Sequence, residues 1–130
     1  MTGKLKTISP VDGSVYVERS FVDEGEIVRA LSLAVRAVEV WREVPLEERA
    51  AICRRAIDAM ITAMDRIAEE ITWQMGRPIR YSPGEIRGFE ERARYMLRVA
   101  SAALSDLDVG EKPGFERFIR REPLGVVLVL

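Results

Sequence analysis

Cys53 is the side chain of this sequence with the strongest intrinsic nucleophilicity, and it is the only cysteine. A thiol becomes a nucleophile when a base takes up its proton, yet the sequence contains no histidine. Cys53 also lies one helical turn before Ile57, on the apolar face of a predicted helix. We therefore expect a buried structural thiol here rather than a catalytic one.

Carboxylates offer the next candidates, as two adjacent pairs, Glu69-Glu70 and Glu90-Glu91. Neighbouring helix positions point about 100° apart, so neither pair can share a proton across a substrate. Both pairs are typical of solvated helix faces. Because histidine is absent and one cysteine cannot build a thiolate site, we predict no metal centre and assign no catalytic residue.

Glycines and arginines are the remaining candidates. Gly84 and Gly88 stand four residues apart and could admit a ligand, although close helix packing is the favoured interpretation. No glycine-rich phosphate-binding motif occurs. The pair Arg120-Arg121 could bind an anion, but on an alternating strand one of the two would face solvent or a partner chain.

Composition sets the broad class. The 130 residues suit one domain, with 48% hydrophobic and 32% charged residues. Twenty basic and 21 acidic residues leave a net charge of −1, which argues against binding to nucleic acid or an anionic membrane. No apolar run approaches the roughly 18 residues of a membrane span. We expect a cytoplasmic protein, in agreement with the single cysteine.

Turn and capping signals locate the first elements. Asp12-Gly13 predicts the turn of a short hairpin. Asp23 and Glu26 form a capping-box pattern at the start of a helix. An apolar face that we expect to be buried follows at helical spacing over residues 27–41 of this first helix, α1. We call it the α1 apolar face: Ile27, Leu31, Ala34, Val35, Val38 and Trp41.

Two more helices are predicted. Apolar residues recur at helical spacing from Pro45 to Met75, and one continuous helix would be roughly 45 Å long. A compact chain of this size has a radius of gyration of about 14 Å, so this helix either breaks or packs on something outside the chain. In the third helix Ser82 is predicted to cap, Pro83 to take the first position and Glu85 to close a capping box.

The C-terminal part reads as extended structure. Residues 115–122 alternate like a half-exposed strand. Val126 to Leu130 carry no polar side chain, which predicts a strand buried on both faces inside a parallel sheet. Such a strand needs neighbours that the chain itself does not offer.

Several motifs together resemble the N-terminal quarter of the NAD(P)-dependent aldehyde dehydrogenase superfamily. Residues 9–14, "SPVDGS", resemble its N-P-x-[TD]-G-[ES] hairpin, and residues 34–52 resemble its A-x-x-A-x-x-x-W segment followed by E-R-A. "MGRPI" at 75–79 stands where the family has G-K-P, with Arg77 replacing the lysine. "RREPLGVVLVL" at the end is similar to the R-x-E-P-[LV]-G-V-V stretch that leads into the cofactor-holding P-W-N segment.

The resemblance implies an α/β fold of which this chain supplies a mostly helical part, with three long helices. It implies that residues 124–130 are the first strand of a Rossmann-like cofactor sheet. The expected division has four parts: a hairpin at 1–20, the helical part of the cofactor domain at 23–106, an oligomerisation arm strand at 115–122, and the sheet strand at 124–130.

The resemblance also implies site residues. The third helix would lie near the mouth of the aldehyde tunnel, with Gly88, Phe89 and Arg92 facing substrate. The arm would join subunits of a homo-oligomer through four side chains: Phe115, Arg117, Phe118 and Arg120. The family's catalytic cysteine, glutamate base and oxyanion-stabilising asparagine have no counterpart here, so we expect no catalytic or cofactor-binding residue in this chain.

We therefore expect the N-terminal portion of an enzyme that uses NAD or NADP to oxidise an aldehyde to a carboxylic acid. We expect it to have been cut short naturally, by engineering or because the sequence is incomplete, and to be inactive alone. The alternative is a non-catalytic helical module that oligomerises or binds a partner through its terminal strands. A fragment that pairs with a full-length relative and regulates it is a further possibility.

Overall fold

A computed structural model describes residues 3–129. The outer ends of the predicted hairpin and of the predicted last strand, at residues 1–2 and 130, lie outside the described residues. The elements are β1 (Lys4–Ile8), β2 (Val15–Ser20), α1 (Glu24–Glu43), α2 (Leu46–Thr62), α3 (Met64–Met75), α4 (Pro83–Leu104), β3 (Leu107–Asp108) and β4 (Phe118–Ile119). The mostly helical chain is confirmed, and residues 3–129 contain four helices because the predicted helix from 45 to 75 is divided in two.

The predicted N-terminal hairpin is confirmed. β1 and β2 pair antiparallel, and Gly13 in the turn has φ 77°, a conformation that glycine adopts without steric cost. The Asp12 carboxylate accepts a hydrogen bond of 3.0 Å from the Ser14 amide. That bond lowers the pKa of Asp12, since it favours the ionised carboxylate.

Helix α1 begins as the sequence predicts, but its apolar face is not buried. Asp23 Oδ1 accepts from the Glu26 amide at 2.7 Å, and Glu26 Oε2 accepts from the Asp23 amide at 2.8 Å. No residue of Glu24–Glu43 is buried, and Leu31 is 53% exposed. The expectation of a buried face was wrong for a physical reason: the close packing of the described helices joins α2 and α3 to α4 and leaves α1 out.

The continuous helix from 45 to 75 breaks, which was one of the two predicted alternatives. Ala63 leaves helical geometry with φ −92° and ψ 12°, and its amide still bonds to Ala59 O and Met60 O. The break lets α2 and α3 both pack on α4. The buried apolar residues of the described chain come from these three helices: Ala50, Ile57, Ala68 and Ile86.

The start of α4 differs from the predicted capping box. Ser82 has helical dihedral angles and makes no capping bond. Its hydroxyl is fully buried and hydrogen-bonds with Thr72 Oγ1 at 2.9 Å, while Glu85 forms an ion pair with Arg77 at 2.9 Å. Pro83 does occupy the first turn. The Ser82 cap was therefore a wrong prediction, because its hydroxyl has a partner on α3 that no local motif announces.

The hairpin is joined to the end of α3 by three contacts. Ser9 is fully buried and its Oγ donates to Trp73 O at 2.8 Å. The rings of Tyr16 and Trp73 stack with their centroids 6.0 Å apart. Gly76 ends α3 with φ 73°, and a β-carbon there would stand 2.8 Å from Pro10 Cγ. We call this set the hairpin–α3 junction.

The C-terminal segment is extended, with little regular pairing. The arm strand predicted at 115–122 is confined to β4, which pairs antiparallel with β3. Residues 124–129 form no strand, and Leu128 and Val129 are 79% and 86% exposed. The expectation of a strand buried on both faces was wrong for these described residues, because no other described segment hydrogen-bonds to them.

Candidate functional site

The three predicted tunnel residues lie on α4, and the structure brings two of them together. Gly88 and Arg92, one helical turn apart, line an open cavity of about 770 Å³. Phe89 does not line it and is 39% exposed. We call this the α4 cavity; its lining residues are Gly88, Glu91, Arg92, Arg94, Tyr95, Met96 and Arg98.

The glycines at the head of α4 face open space. Apart from adjoining residues and the backbone of α4 itself, no atom of the described chain lies within 4 Å of the place where a β-carbon of Gly84 or Gly88 would stand. The favoured interpretation, close packing against another backbone, was therefore wrong for these residues. A helix surface with two missing side chains one turn apart leaves room for a ligand or for another chain segment.

Arg94 and Arg92 differ in their partners. Arg94 Nη2 lies 2.6 Å from Asp58 Oδ1 and Arg94 Nε lies 2.8 Å from Glu90 Oε1, which ties α4 to α2. Hydrogen bonds to Asp58 and then to Glu90 raise the pKa of Arg94. Arg92 forms no ion pair with any residue in 3–129. Its guanidinium is thus available for an anionic group in the α4 cavity.

Cys53 is exposed on α2, so the expectation of a buried thiol was wrong. At 100° per residue, Cys53 stands about 60° around the helix from Ala50, at the edge of the stripe that α4 covers. Exposure does not make it a nucleophile, since the sequence has no histidine that could take up its proton. The described residues also contain no group of metal-ligating side chains.

The predicted subunit-contact residues are exposed, and they contact one another or the loop that precedes the arm. The Arg120 guanidinium lies 4.9 Å from the centre of the Phe118 ring. Arg117 Nη2 donates to Gly110 O at 3.0 Å. Phe115 is 64% exposed, with Lys112 Nζ 4.7 Å from its ring centre. Each ring therefore has a cation against one face and stays partly exposed.

A second polar cavity, which the sequence did not reveal, lies where the end of α1, the start of α2 and the arm meet. It has a volume of about 370 Å³, and we call it the arginine cleft. Sequence reasoning singled out Arg120-Arg121 but not their companions, because no local spacing links the α1–α2 connection or the end of α4 to the arm. The charged residues that line it are Arg42, Glu43, Arg49, Asp106, Arg120, Arg121 and Glu122.

The last described segment lies near α1. Val126 shares an apolar cavity of about 530 Å³ with residues of α1 that include Val38 and Trp41. Residues 124–129, which the resemblance places just before the cofactor-holding segment, are exposed and unpaired. Among residues 3–129 no helix is long and apolar enough to cross a membrane.

Comparison with known proteins gives consistent matches along the chain. The sequence profile of the aldehyde dehydrogenase family matches residues 1–130. The chain is 30% identical over 122 residues to the succinate-semialdehyde dehydrogenase (NADP(+)) of Deinococcus radiodurans, which covers 94% of this chain and 25% of that protein. It is 26% identical over 126 residues to the glutarate-semialdehyde dehydrogenase of Pseudomonas putida, which covers 97% of this chain and 26% of that protein.

A solved structure agrees with these matches. A Burkholderia cenocepacia protein assigned as an aldehyde dehydrogenase superposes with a TM-score of 0.84 and 25% identity, over 94% of this chain and 25% of that protein. The chain therefore spans about a quarter of the length of the curated relatives it matches.

Proposed function

The chain belongs to the aldehyde dehydrogenase family, and on this premise we propose that it is the N-terminal portion of an enzyme that oxidises an aldehyde to a carboxylic acid with NAD or NADP. The observation that carries the proposal is the family match over residues 1–130. The bound dinucleotide would supply the hydride acceptor. No residue of this chain is proposed to take part in the bond-making steps.

The proposed contribution of this chain is scaffold and part of the substrate tunnel. Gly88, Phe89 and Arg92 are the tunnel residues we propose. The shared cavity of Gly88 and Arg92 supports this role, as does the free space above Gly88. Arg92 would hold an anionic group of a substrate at the tunnel mouth, because its guanidinium has no ion-pair partner in the described chain.

We further propose that the arm joins subunits of a homo-oligomer and that the protein is cytoplasmic. The exposed rings of Phe115 and Phe118 support the first proposal, since aromatic side chains are enriched at protein interfaces. The single cysteine supports the second, because disulfide-rich proteins are typical of oxidising compartments.

The test measures the enzymatic activity of a chain whose intact mass has first been verified. The 130-residue chain, of 14.7 kDa, is assayed for reduction of NAD and NADP with succinic semialdehyde, glutaric semialdehyde and benzaldehyde. We expect no turnover above a blank without enzyme, and turnover from a protein that continues through the length its relatives have. The control is the Cys53→Ser variant. Activity of the 130-residue chain that survives this substitution would contradict the proposal.

A second candidate function is a non-catalytic module that oligomerises through apolar surface. It is favoured by the unburied α1 apolar face and by the exposed residues 124–129. Light scattering on the 130-residue chain tests it, with Leu31→Glu as the variant and Arg55→Glu as the control. A stable oligomer that only Leu31→Glu dissociates supports this candidate, and a monomer at all concentrations rejects it.

A further inference from the structure

The arginine cleft gathers charge from three separate parts of the chain. Arg42 comes from the last turn of α1, Arg49 from the first turns of α2, and Arg120 and Arg121 from the segment after β4. Four guanidinium groups therefore stand around one cavity of about 370 Å³, together with three carboxylates. The cleft keeps a net positive charge.

The carboxylates in the cleft do not saturate the arginines. Arg120 Nε is 3.6 Å from Asp106 Oδ2. Arg42 Nε is 3.4 Å from Glu43 Oε1, and its Nη2 is 3.9 Å from Glu122 Oε2. A direct bond between a guanidinium and a carboxylate is about 2.7–2.9 Å. These pairs are loose contacts between exposed groups, so the arginines retain donors for a further acceptor.

Arg49 supplies a more specific observation. Its Nε atom is buried from solvent, yet it has no hydrogen-bond partner anywhere in residues 3–129. Buried donors in native proteins are almost always paired, since an unpaired one loses its bonds to water without replacement. An acceptor that enters the cleft and reaches Arg49 would remove this cost.

Arg121 is held in a way that suits the same acceptor. Its Nε donates to Ser105 O at 3.3 Å, which fixes the side chain against the end of α4. Its two terminal nitrogens make no bond to the described residues. Arginine presents these donors in a planar fork that matches the oxygens of phosphate or carboxylate.

We infer that the arginine cleft binds a small oxyanion, a phosphate or a carboxylate, through Arg49 and Arg121. The site is separate from the α4 cavity and does not depend on the proposed oxidation of an aldehyde. The anion would satisfy the buried donor on Arg49 and link α2 to the arm, so binding should stabilise the folded chain.

The test compares the Tm of the 130-residue chain in chloride, phosphate and succinate at equal pH and ionic strength. Phosphate or succinate at about ten times its Kd should raise the Tm by about 4 °C over chloride. The gain should saturate with concentration, and the anion that gives it identifies the group bound. Arg121→Gln should abolish the gain, whereas Arg55→Gln, elsewhere on α2, should keep it.

Two outcomes would overturn the inference. One is an equal Tm in all three salts, and the other is the same gain in Arg121→Gln as in the unaltered chain, which is the general effect of excluded anions. A second readout does not depend on unfolding: the Nε–H signal of Arg49 in a nitrogen-proton NMR spectrum should shift during titration with the effective anion. A signal unchanged at saturating anion would equally reject the site.

Discussion

Replacing Ser9 by alanine tests the hairpin–α3 junction directly. The Ser9 hydroxyl donates to Trp73 O at 2.8 Å and accepts from the Val11 amide at 3.2 Å. Ser9 is fully buried, so its hydroxyl has no access to water in the folded chain. The substitution deletes both bonds and changes little volume. It therefore measures what the hydroxyl contributes.

The expected cost follows from what the two partners can do afterwards. Trp73 O lies in the last turn of α3, where carbonyl groups lack a partner within the helix. The Val11 amide belongs to an exposed turn residue, so water can replace part of its lost bond. One buried group left unpaired costs about 1–3 kcal/mol. We expect Ser9→Ala to lower the free energy of unfolding by about 2 kcal/mol.

Urea unfolding followed by circular dichroism measures this difference. The matched control is Ser32→Ala, because the Ser32 hydroxyl bonds only to Val28 O on the exposed helix α1. Its effect should stay within about 0.5 kcal/mol. If the two variants unfold at the same urea concentration with equal m-values, the junction does not contribute in the way the structure indicates.

Two further predictions concern the core and the hairpin. Ile57→Ala should lower the free energy of unfolding by about 2–4 kcal/mol, because it leaves a cavity between α2 and α4. The control is Val40→Ala, which should change the urea midpoint little because Val40 is 71% exposed. The pKa of Glu18 is lowered from its ordinary 4.5 by hydrogen bonds from Lys4 and then Lys6, so carbon NMR titration should place it below that value and Lys4→Met should raise it. Since the pKa of Glu18 is lower in the folded than in the unfolded chain, the stability that its ionised carboxylate contributes is present above pH 4.5 and is lost as the pH falls. If a Glu18→Gln variant lost as much stability in acid as the unaltered chain, this prediction would be contradicted.

The parts of the fold that the sequence predicted are those decided by neighbours along the chain. Asp23 and Glu26 stand three residues apart and form the capping box. Asp12-Gly13 makes the hairpin turn for the same reason, since each residue needs only its immediate surroundings. Ser82 carries an equally good local signal, yet a hydroxyl from another helix takes its bond.

Burial was harder to predict, because periodicity tells which residues share a face and not what covers it. The α1 apolar face is as regular as the stripe on α2, but only the latter meets α4. Cys53 was misassigned for the same reason, since it lies beside that stripe and not under the helix that covers it.

The same contrast between local signals and tertiary contacts applies to the candidate sites. Gly88 and Arg92 line the same cavity because their spacing of four residues brings them to one side of α4. The family resemblance, and not the residue pattern, suggested that this side faces substrate. The arginine cleft was missed since Arg49 and Arg121 are separated by 71 intervening positions and meet only through the tertiary fold.

The break at Ala63 has a consequence for how the chain assembles while it is being synthesised. The packing of α2 and α3 on α4 uses only residues 46–104, so it is complete once Leu104 has been made. A nascent chain that has left the ribosome up to Leu104 can therefore form its helical core, while the apolar face of α1 is still open to the residues that are synthesised next.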